Sequence, residues 1–326
     1  MDEIGTDSVP SPATTRRRAG RWRSMLTVVS VITMLLLVGA AKCAQDTPPK
    51  ETVESLREKS TTLKDRPTLR IGVRTTLPFL SYRDPKSGKY SGFEIEIARD
   101  LAKELGYAET EIDWVTVSTL QSRQQVLQSG SADMVVASFS ITEEREKLFD
   151  FAGPYLLVPQ AVLVSKVRTK ALDTIADLRA PGVRVCTGTG STSERALVSK
   201  EIRPEPVNDD TQCKDGMKSG KYDAYSTDLQ ILASFKAEDS ERWEILPLEI
   251  ADTSERIGVA TPNGDEALRG LINYFLSQWQ KNKLNSPWLR AYDRTIGPYL
   301  DGRYRAQPTI TGAPDLADYD SKAAPR

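Results

Sequence analysis

Three positions that follow predicted strands carry a charge or free hydrogen-bond donors: an arginine, a glycine-rich turn and an aspartate. Arg145 comes seven residues after Ser138, at the end of a predicted buried strand. Its planar guanidinium could hold a carboxylate through two parallel hydrogen bonds. The alternative is a surface arginine paired with Glu143 or Glu144, since exposed charges are usually solvated.

The glycine-rich turn is Gly188-Thr189-Gly190-Ser191, between a predicted strand and a predicted helix. Its backbone N–H groups and the helix N-terminus would attract an anion. The turn lacks the Gly-Lys-Ser/Thr ending of a P-loop and does not match GxGxxG, which argues against nucleotide binding. The alternative is an ordinary turn that caps the helix.

Asp228 ends a predicted strand and opens a predicted helix. An aspartate at such a position is well suited to capping the helix.

The composition excludes several function classes. The chain has 326 residues, with 44 Lys and Arg, 45 Asp and Glu, and 39% hydrophobic residues. This balance excludes a polytopic membrane protein and a basic nucleic-acid binder, and the length allows two packed units. The absence of histidine excludes Ser-His-Asp and Cys-His nucleophiles and most catalytic zinc sites. Three cysteines without a CxxC fit no zinc spacing, so neither a metal nor a cofactor is expected.

The first 67 residues are predicted to direct export and to tether the protein. Residues 1–24 are polar and then basic, with five arginines between positions 16 and 23, and residues 25–41 are 17 uncharged residues. This pattern predicts a signal peptide or a retained membrane anchor, with the rest of the chain outside the cytoplasm. Cys43 ends a lipobox-like sequence in which Lys42 replaces the usual small residue, so a retained anchor, a lipid anchor and free secretion stay open. Residues 42–67 are predicted to be a linker that holds the folded body off the membrane.

Short β-rich runs alternate with runs of helical period from about residue 68 to residue 302. This order predicts an α/β protein of two lobes, each a mainly parallel sheet with flanking helices. The predicted strands are 68–73, 114–117, 132–137, 160–165, 183–186, 223–226, 243–246 and 255–261. The predicted helices are 93–105, 120–128, 191–199, 211–219, 228–236 and 265–282.

Lobe 1 is predicted at residues 68–161, with a return segment at 253–302, and lobe 2 at 162–252. The two crossing strands, near 160–164 and 248–253, are candidate hinges, and a ligand is expected in the cleft between the lobes. Residues 303–326 lack periodicity and are predicted to be a disordered tail.

Cys186 and Cys213 are predicted to form a disulfide, because an exported protein folds in an oxidising compartment. On the chain-entropy model such a loop would stabilise the fold by about 3.5 kcal/mol. The alternative is two buried free thiols.

The sequence resembles the family 3 extracytoplasmic solute-binding proteins, the polar amino-acid receptors of ABC importers. The similarity covers about residues 68 to 295. The motifs that carry it are Leu69-Arg70-Ile71-Gly72-Val73-Arg74, Pro78-Phe79, Gly92-Phe93-Glu94-Ile95-Glu96-Ile97-Ala98, Ser131-Ala132-Asp133, Ser138-Phe139-Ser140-Ile141-Thr142-Glu143-Glu144-Arg145, Phe149-Asp150-Phe151, Gly188-Thr189-Gly190-Ser191 and Tyr222-Asp223-Ala224-Tyr225-Ser226-Thr227-Asp228. The resemblance implies the type II periplasmic-binding-protein-like fold, with crossover hinge strands.

The resemblance also implies a role for each candidate site residue. Arg145 would hold the α-carboxylate of the ligand, and Asp228 its ammonium group. Ser138 and Ser140 would offer hydroxyl and backbone groups to the same ligand. Thr189 and Gly190 would complete the carboxylate site from lobe 2.

Ligand specificity is predicted from two further arginines. By resemblance, Arg74 and Arg123 fall where receptors for glutamate and aspartate carry arginines, and the glutamine-type relatives often have an acidic residue at the position of Arg74. With Arg145 and against Asp228, the site would hold a charge of +2, which suits glutamate or aspartate, with glutamine left open. The alternatives are an exposed strand-end residue for Arg74 and a solvated helix position for Arg123.

The resemblance implies a monomeric receptor, not an enzyme, on the outer face of the cell membrane. It would close by hinge motion around the ligand and dock on ABC permease subunits. Two alternatives stay open: a membrane-tethered amino-acid sensor that feeds a signalling partner, and a dehydratase-type enzyme on the same fold.

Overall fold

The computed structural model describes residues 50–282, 285–300 and 302–317. The predicted basic segment 1–24, the apolar segment 25–41 and Cys43 lie outside these residues. Within them, no helix is long and apolar enough to cross a membrane.

The strands and helices alternate along the chain, as the sequence predicts. The strands are β1 (Leu69–Val73), β2 (Thr76–Leu77), β3 (Ser81–Arg83), β4 (Tyr90–Ser91), β5 (Ile112–Thr116), β6 (Met134–Ser140), β7 (Asp150–Val158), β8 (Gln160–Ser165), β9 (Val185–Gly188), β10 (Pro204–Val207), β11 (Ala224–Asp228), β12 (Trp243–Leu246) and β13 (Glu255–Thr261). The α-helices are α1 (Val53–Lys59), α2 (Phe93–Glu104), α3 (Leu120–Gln128), α4 (Glu143–Glu146), α5 (Ile175–Leu178), α6 (Thr192–Ser199), α7 (Asp210–Lys218), α8 (Leu229–Glu238), α9 (Glu266–Lys281) and α10 (Pro287–Arg294).

Lobe 1 is built on a five-stranded sheet in the order β5-β1-β6-β13-β7. Strand β1 is parallel to β5 and β6, whereas β13 is antiparallel to both β6 and β7. All seven residues of β6 are buried, which explains the apolar run Met134-Val135-Val136-Ala137 at its start.

Lobe 2 repeats this arrangement in a sheet of order β10-β9-β11-β8-β12. Strands β10, β9 and β11 are parallel, and β8 runs antiparallel to β11 and β12. In each sheet four of the five strands run in the same direction, and the predicted α/β two-lobe fold is confirmed.

The chain passes between the sheets at two places. Strands β7 and β8 belong to different sheets and are separated only by Pro159. The return passes through residues 247–254, which form no strand, so the crossing strand predicted near 248–253 is wrong. This segment leaves one sheet for the other and has no neighbouring strand to pair with.

The terminal segments differ most from the predictions. The segment before residue 68 contains helix α1, which packs on α9, and the Asp265 carboxylate accepts hydrogen bonds from the Ser60 hydroxyl and from the Thr62 N–H, both at 2.8 Å. Residues 303–317 are not a disordered tail: Ile310 and Leu316 are buried and belong to the large hydrophobic core cluster. Composition misled the prediction because a few apolar side chains suffice to hold an irregular segment on a core.

A disulfide joins Cys186 and Cys213, as predicted. It ties β9, which leads into the glycine-rich turn, to helix α7.

Candidate ligand-binding site

A cavity that is partly open to solvent lies between the lobes, at the carboxyl ends of strands from both sheets. All of the predicted ligand residues except Gly190 line it, namely Arg74, Arg123, Ser138, Ser140, Arg145, Thr189 and Asp228. The predicted residues of the two lobes are thus brought together.

Arg145 is a buried arginine and not a surface one. It lies in the first turn of α4 with 6% of its surface exposed, and its Nη1 donates to the Ser140 carbonyl at 2.8 Å. The local pairing offered as an alternative is not formed, since Glu144 instead pairs with Arg195 of lobe 2. Burial, and then the charge of Arg195, lower the pKa of Arg145 to about 10, so this cation would gain from a bound anion.

Arg123 is also buried, at 9% exposure. Its Nη1 donates to the Ser138 carbonyl at 3.2 Å, and its Nε has no partner among the described residues. Burial, and then the charge of Arg74, lower the pKa of Arg123 to about 10. Its guanidinium and that of Arg145 both lie near the Phe139 ring, at 6.0 Å and 4.9 Å from its centroid.

Arg74 is the most buried of the three arginines, at 1% exposure, and pairs with a carboxylate of the other lobe. Its Nη2 donates to Asp210 Oδ2, while its Nε and Nη1 have no partner in the described part of the chain. Burial alone would lower the pKa of Arg74, but the charge of Asp210 outweighs it and raises the pKa. The alternatives of an exposed Arg74 and a solvated Arg123 are therefore not what the structure shows, since both side chains are buried.

Ser138 and Ser140 orient the arginines through their carbonyl groups. The Ser138 hydroxyl and N–H both donate to Glu94 Oε1, at 2.8 and 2.6 Å. Neither group is therefore free to donate to a ligand, although the sequence predicted that both would be offered to it. Glu94 is fully buried on α2 and also accepts from the Tyr155 hydroxyl at 2.8 Å; burial raises its pKa. Glu94 thereby holds the end of β6, where Ser138 has a φ of 48°.

The glycine-rich turn does not present a free anion nest. The Thr189 N–H donates to the Val207 carbonyl at 2.8 Å, and the Gly190 N–H donates to Glu194 Oε2 at 2.6 Å. Ser191 caps α6 through its hydroxyl, which is the alternative considered for this turn. Gly190 instead has a φ of 70° and lies against Leu120 of lobe 1, where an added Cβ would approach Leu120 Cδ2 to 3.2 Å.

Asp228 occupies the N-cap position of α8, yet its side chain makes no capping hydrogen bond. Its carboxylate is 5% exposed and accepts only a long bond of 3.4 Å from Gln230 Nε2 among the described contacts. Burial, and then the charge of Glu255, raise the pKa of Asp228 from 3.8 to about 8. A buried carboxylate without a cation partner indicates a place for a positively charged group.

The sequence interpretation missed Asp210, Asn208 and Ser118, which also line the cavity. Asp210 and Asn208 follow β10, an edge strand that contains Pro204 and Pro206 and so gave no strand signal. Recognising β10 would have placed both residues at the carboxyl edge of the sheet.

A mainly parallel sheet in each lobe, a double crossover and a polar cleft at the strand ends define a two-lobe binding protein. Residues 69–291 match the model of the bacterial extracellular solute-binding proteins, family 3. Because this match covers more than half of the chain, the protein belongs to that family.

Relatives with assigned ligands cover most of the folded body. The ABC transporter glutamine-binding protein GlnH of Bacillus subtilis (strain 168) is 28% identical over 260 residues, which are 79% of this chain and 92% of that protein. The glutamate-binding protein GluB of Corynebacterium efficiens is 27% identical, over 64% of this chain and 72% of that protein.

A solved structure of an ancestral amino acid-binding protein, a precursor of cyclohexadienyl dehydratase, is also similar. The two chains are 30% identical, with a TM-score of 0.63, and the match covers 73% of this chain and 99% of the ancestral protein.

Proposed function

We propose that this protein is the extracytoplasmic amino-acid receptor of an ABC importer and that its ligand is glutamate or aspartate. The observation that carries the proposal is the convergence of three buried arginines of lobe 1 on one cavity that also contains the buried Asp228 of lobe 2. The family and the names of the relatives support an amino-acid ligand.

The two ends of a zwitterion have matching partners in the cleft. Arg145 binds the α-carboxylate, because its guanidinium is buried and no described carboxylate lies within ion-pair distance of it. Asp228 binds the ammonium group, because a buried carboxylate with a raised pKa gains most from a cation. Thr189 contributes its exposed side chain to the ligand site from lobe 2.

The side-chain carboxylate of the ligand is bound by Arg74 and Arg123. Both have buried N–H groups without a partner among the described residues, which are costly unless an acceptor reaches them. With Asp210 and Asp228 ionised, the five charged residues of the cavity leave a net charge of +1. A dicarboxylic amino acid of charge −1 neutralises it, whereas a cationic ligand is disfavoured.

Glutamine is a second candidate because of Asp210. The Arg74–Asp210 pair offers a donor and an acceptor side by side, which suits a carboxamide. One of the relatives is named a glutamine-binding protein.

Binding is coupled to lobe closure through contacts that cross the cleft. In this structure Arg74 pairs with Asp210, and Arg195 pairs with Glu144 at 3.4 Å. A ligand held by Arg145 in one lobe and Asp228 in the other favours the closed arrangement, since it contacts both lobes only there. The hinges are the two places where the chain changes sheet.

The location and partners of the protein follow from the proposal. The N-terminal segment holds the receptor on the outer face of the membrane, by a retained helix or by a lipid on Cys43, and the closed monomer docks on a permease. A sensor role and dehydratase activity remain alternatives, since a related structure is a dehydratase precursor. Turnover of a cyclic acid would favour the enzyme.

The test is calorimetry of the full-length chain in mild detergent against an amino-acid panel. Glutamate and aspartate should bind more tightly than glutamine, asparagine and lysine. Equal or tighter glutamine binding would reject the acidic ligand and retain the receptor, while the absence of any amino-acid binding would reject the receptor itself.

The matched variants are Arg145→Ala and Arg195→Ala. Loss of the buried Arg145 should weaken every amino-acid ligand by about 3–5 kcal/mol, because the α-carboxylate loses its partner. Loss of the exposed Arg195 should change affinity by less than about 1 kcal/mol. Wild-type affinity in Arg145→Ala would remove Arg145 from the site.

A further inference from the structure

Lobe 2 brings a second carboxylate into the cleft in addition to Asp228. Asp210 is the first residue of α7, is 8% exposed and lines the cavity. Its Oδ2 accepts from Arg74 Nη2, across the boundary between the lobes.

Asp210 is held firmly on its own side of the cleft. Its Oδ1 accepts from the Tyr225 hydroxyl at 2.6 Å, and Tyr225 is itself fully buried in β11. Helix α7 is fixed to β9 through the Cys186–Cys213 disulfide. Burial alone would raise the pKa of Asp210, but the charge of Arg74 and the Tyr225 hydrogen bond outweigh it and lower the pKa, so this carboxyl is ionised at neutral pH.

The position of Asp210 affects any group that Arg74 binds. The remaining donors of Arg74, Nε and Nη1, belong to the same rigid guanidinium plane as Nη2. A ligand acceptor that reaches them therefore lies close to the Asp210 carboxylate. A second carboxylate is repelled there, whereas a carboxamide can accept from Arg74 and donate to Asp210.

We infer that Asp210 is a specificity-determining residue, which lowers the preference of the site for a side-chain carboxylate over a carboxamide. Arg74 and Arg123 attract the carboxylate, and Asp210 opposes them from the other lobe. This inference rests on the proposed function, because it assumes that the amino-acid side chain points toward Arg74.

The test compares glutamate and glutamine affinities in Asp210→Asn, which keeps the size of the side chain and removes its charge. The ratio of glutamate to glutamine affinity should rise at least about tenfold over that of the wild type. The matched control is Asp209→Asn, one residue away, where the carboxylate caps α7 through Thr211 and faces no arginine of the site. Its ratio should stay within about twofold of the wild-type value.

Each outcome decides the inference separately from the proposed function. A ratio in Asp210→Asn that stays within twofold of wild type, or that falls, overturns the role of Asp210. If the wild type binds no amino acid at all, the proposed function fails first. Should Asp210→Asn not fold, by its near-ultraviolet circular dichroism, Asp210→Ser removes the same charge and is judged by the same ratio.

Discussion

Ligand binding at neutral pH should release close to one proton for each amino acid bound. The perturbation is the arrival of the ligand ammonium beside Asp228, whose pKa is raised to about 8 by burial and by Glu255. At pH 7 such a carboxyl is protonated in roughly nine of ten molecules. The ammonium group requires the ionised form, so binding lowers the pKa of Asp228 and expels the proton.

The assay is calorimetry at pH 7 in two buffers with different ionisation enthalpies. The binding enthalpies observed in the two buffers should differ by about 0.9 times the difference between the buffer ionisation enthalpies, because about 0.9 proton is released. The affinity should fall about tenfold for each pH unit below 8. Glu255→Gln should reduce the release, since it removes a negative charge that raises the pKa of Asp228. Asp210→Asn should reduce the release less than Glu255→Gln does, because the charge of Asp210 raises the pKa of Asp228 less than that of Glu255.

An enthalpy that is the same in both buffers would refute the reasoning.

The raised pKa of Asp228 also predicts how the stability of the ligand-free protein depends on pH. The folded-state pKa of Asp228 exceeds its unfolded value of 3.8. The contribution of Asp228 to stability is therefore fully present below pH 4 and is lost as pH rises through about 8. Asp228→Asn should remove this loss, as measured by urea unfolding at a series of pH values.

Two further predictions concern what stabilises the fold. Replacing Cys186 and Cys213 by alanine should lower the free energy of unfolding by about 2–4 kcal/mol, measured by denaturant titration without reductant; an unchanged midpoint would show that the bridge does not stabilise the protein. Asp265→Ala should free the segment before β1, because it removes the acceptor of Ser60 and Thr62, and limited proteolysis should then cut near these residues faster than in wild type. Equal cleavage rates would contradict that role for Asp265.

The α/β order and the two-lobe fold could be predicted because the apolar periods are strong. Strand β6 is buried throughout, and α9 presents apolar residues at helical spacing, so both gave clear patterns. The elements that were missed lack such a pattern. Strand β10 carries two prolines at a sheet edge, and the terminal segments depend on a few isolated contacts, such as the Gln307 side chain on the Leu276 carbonyl at 2.7 Å.

The candidate site could be predicted in position and only partly in chemistry. The sequence indicated Arg145 and Asp228, and the structure brings both to one cavity. The sequence did not indicate that Glu94 accepts the hydrogen bond of the Ser138 hydroxyl, or that Glu194 accepts the hydrogen bond of the Gly190 N–H. Hydrogen-bond competition of this kind depends on side chains that meet only after folding, so spacing along the chain does not contain it.

The most direct measurement of the central claim is a crystal structure with bound glutamate. The ligand should lie between the lobes, with its α-carboxylate about 2.7–2.9 Å from the Arg145 guanidinium and its ammonium at a similar distance from the Asp228 carboxylate. A ligand bound outside the cleft, or one whose ammonium contacts neither Asp228 nor any other residue of lobe 2, would contradict the account.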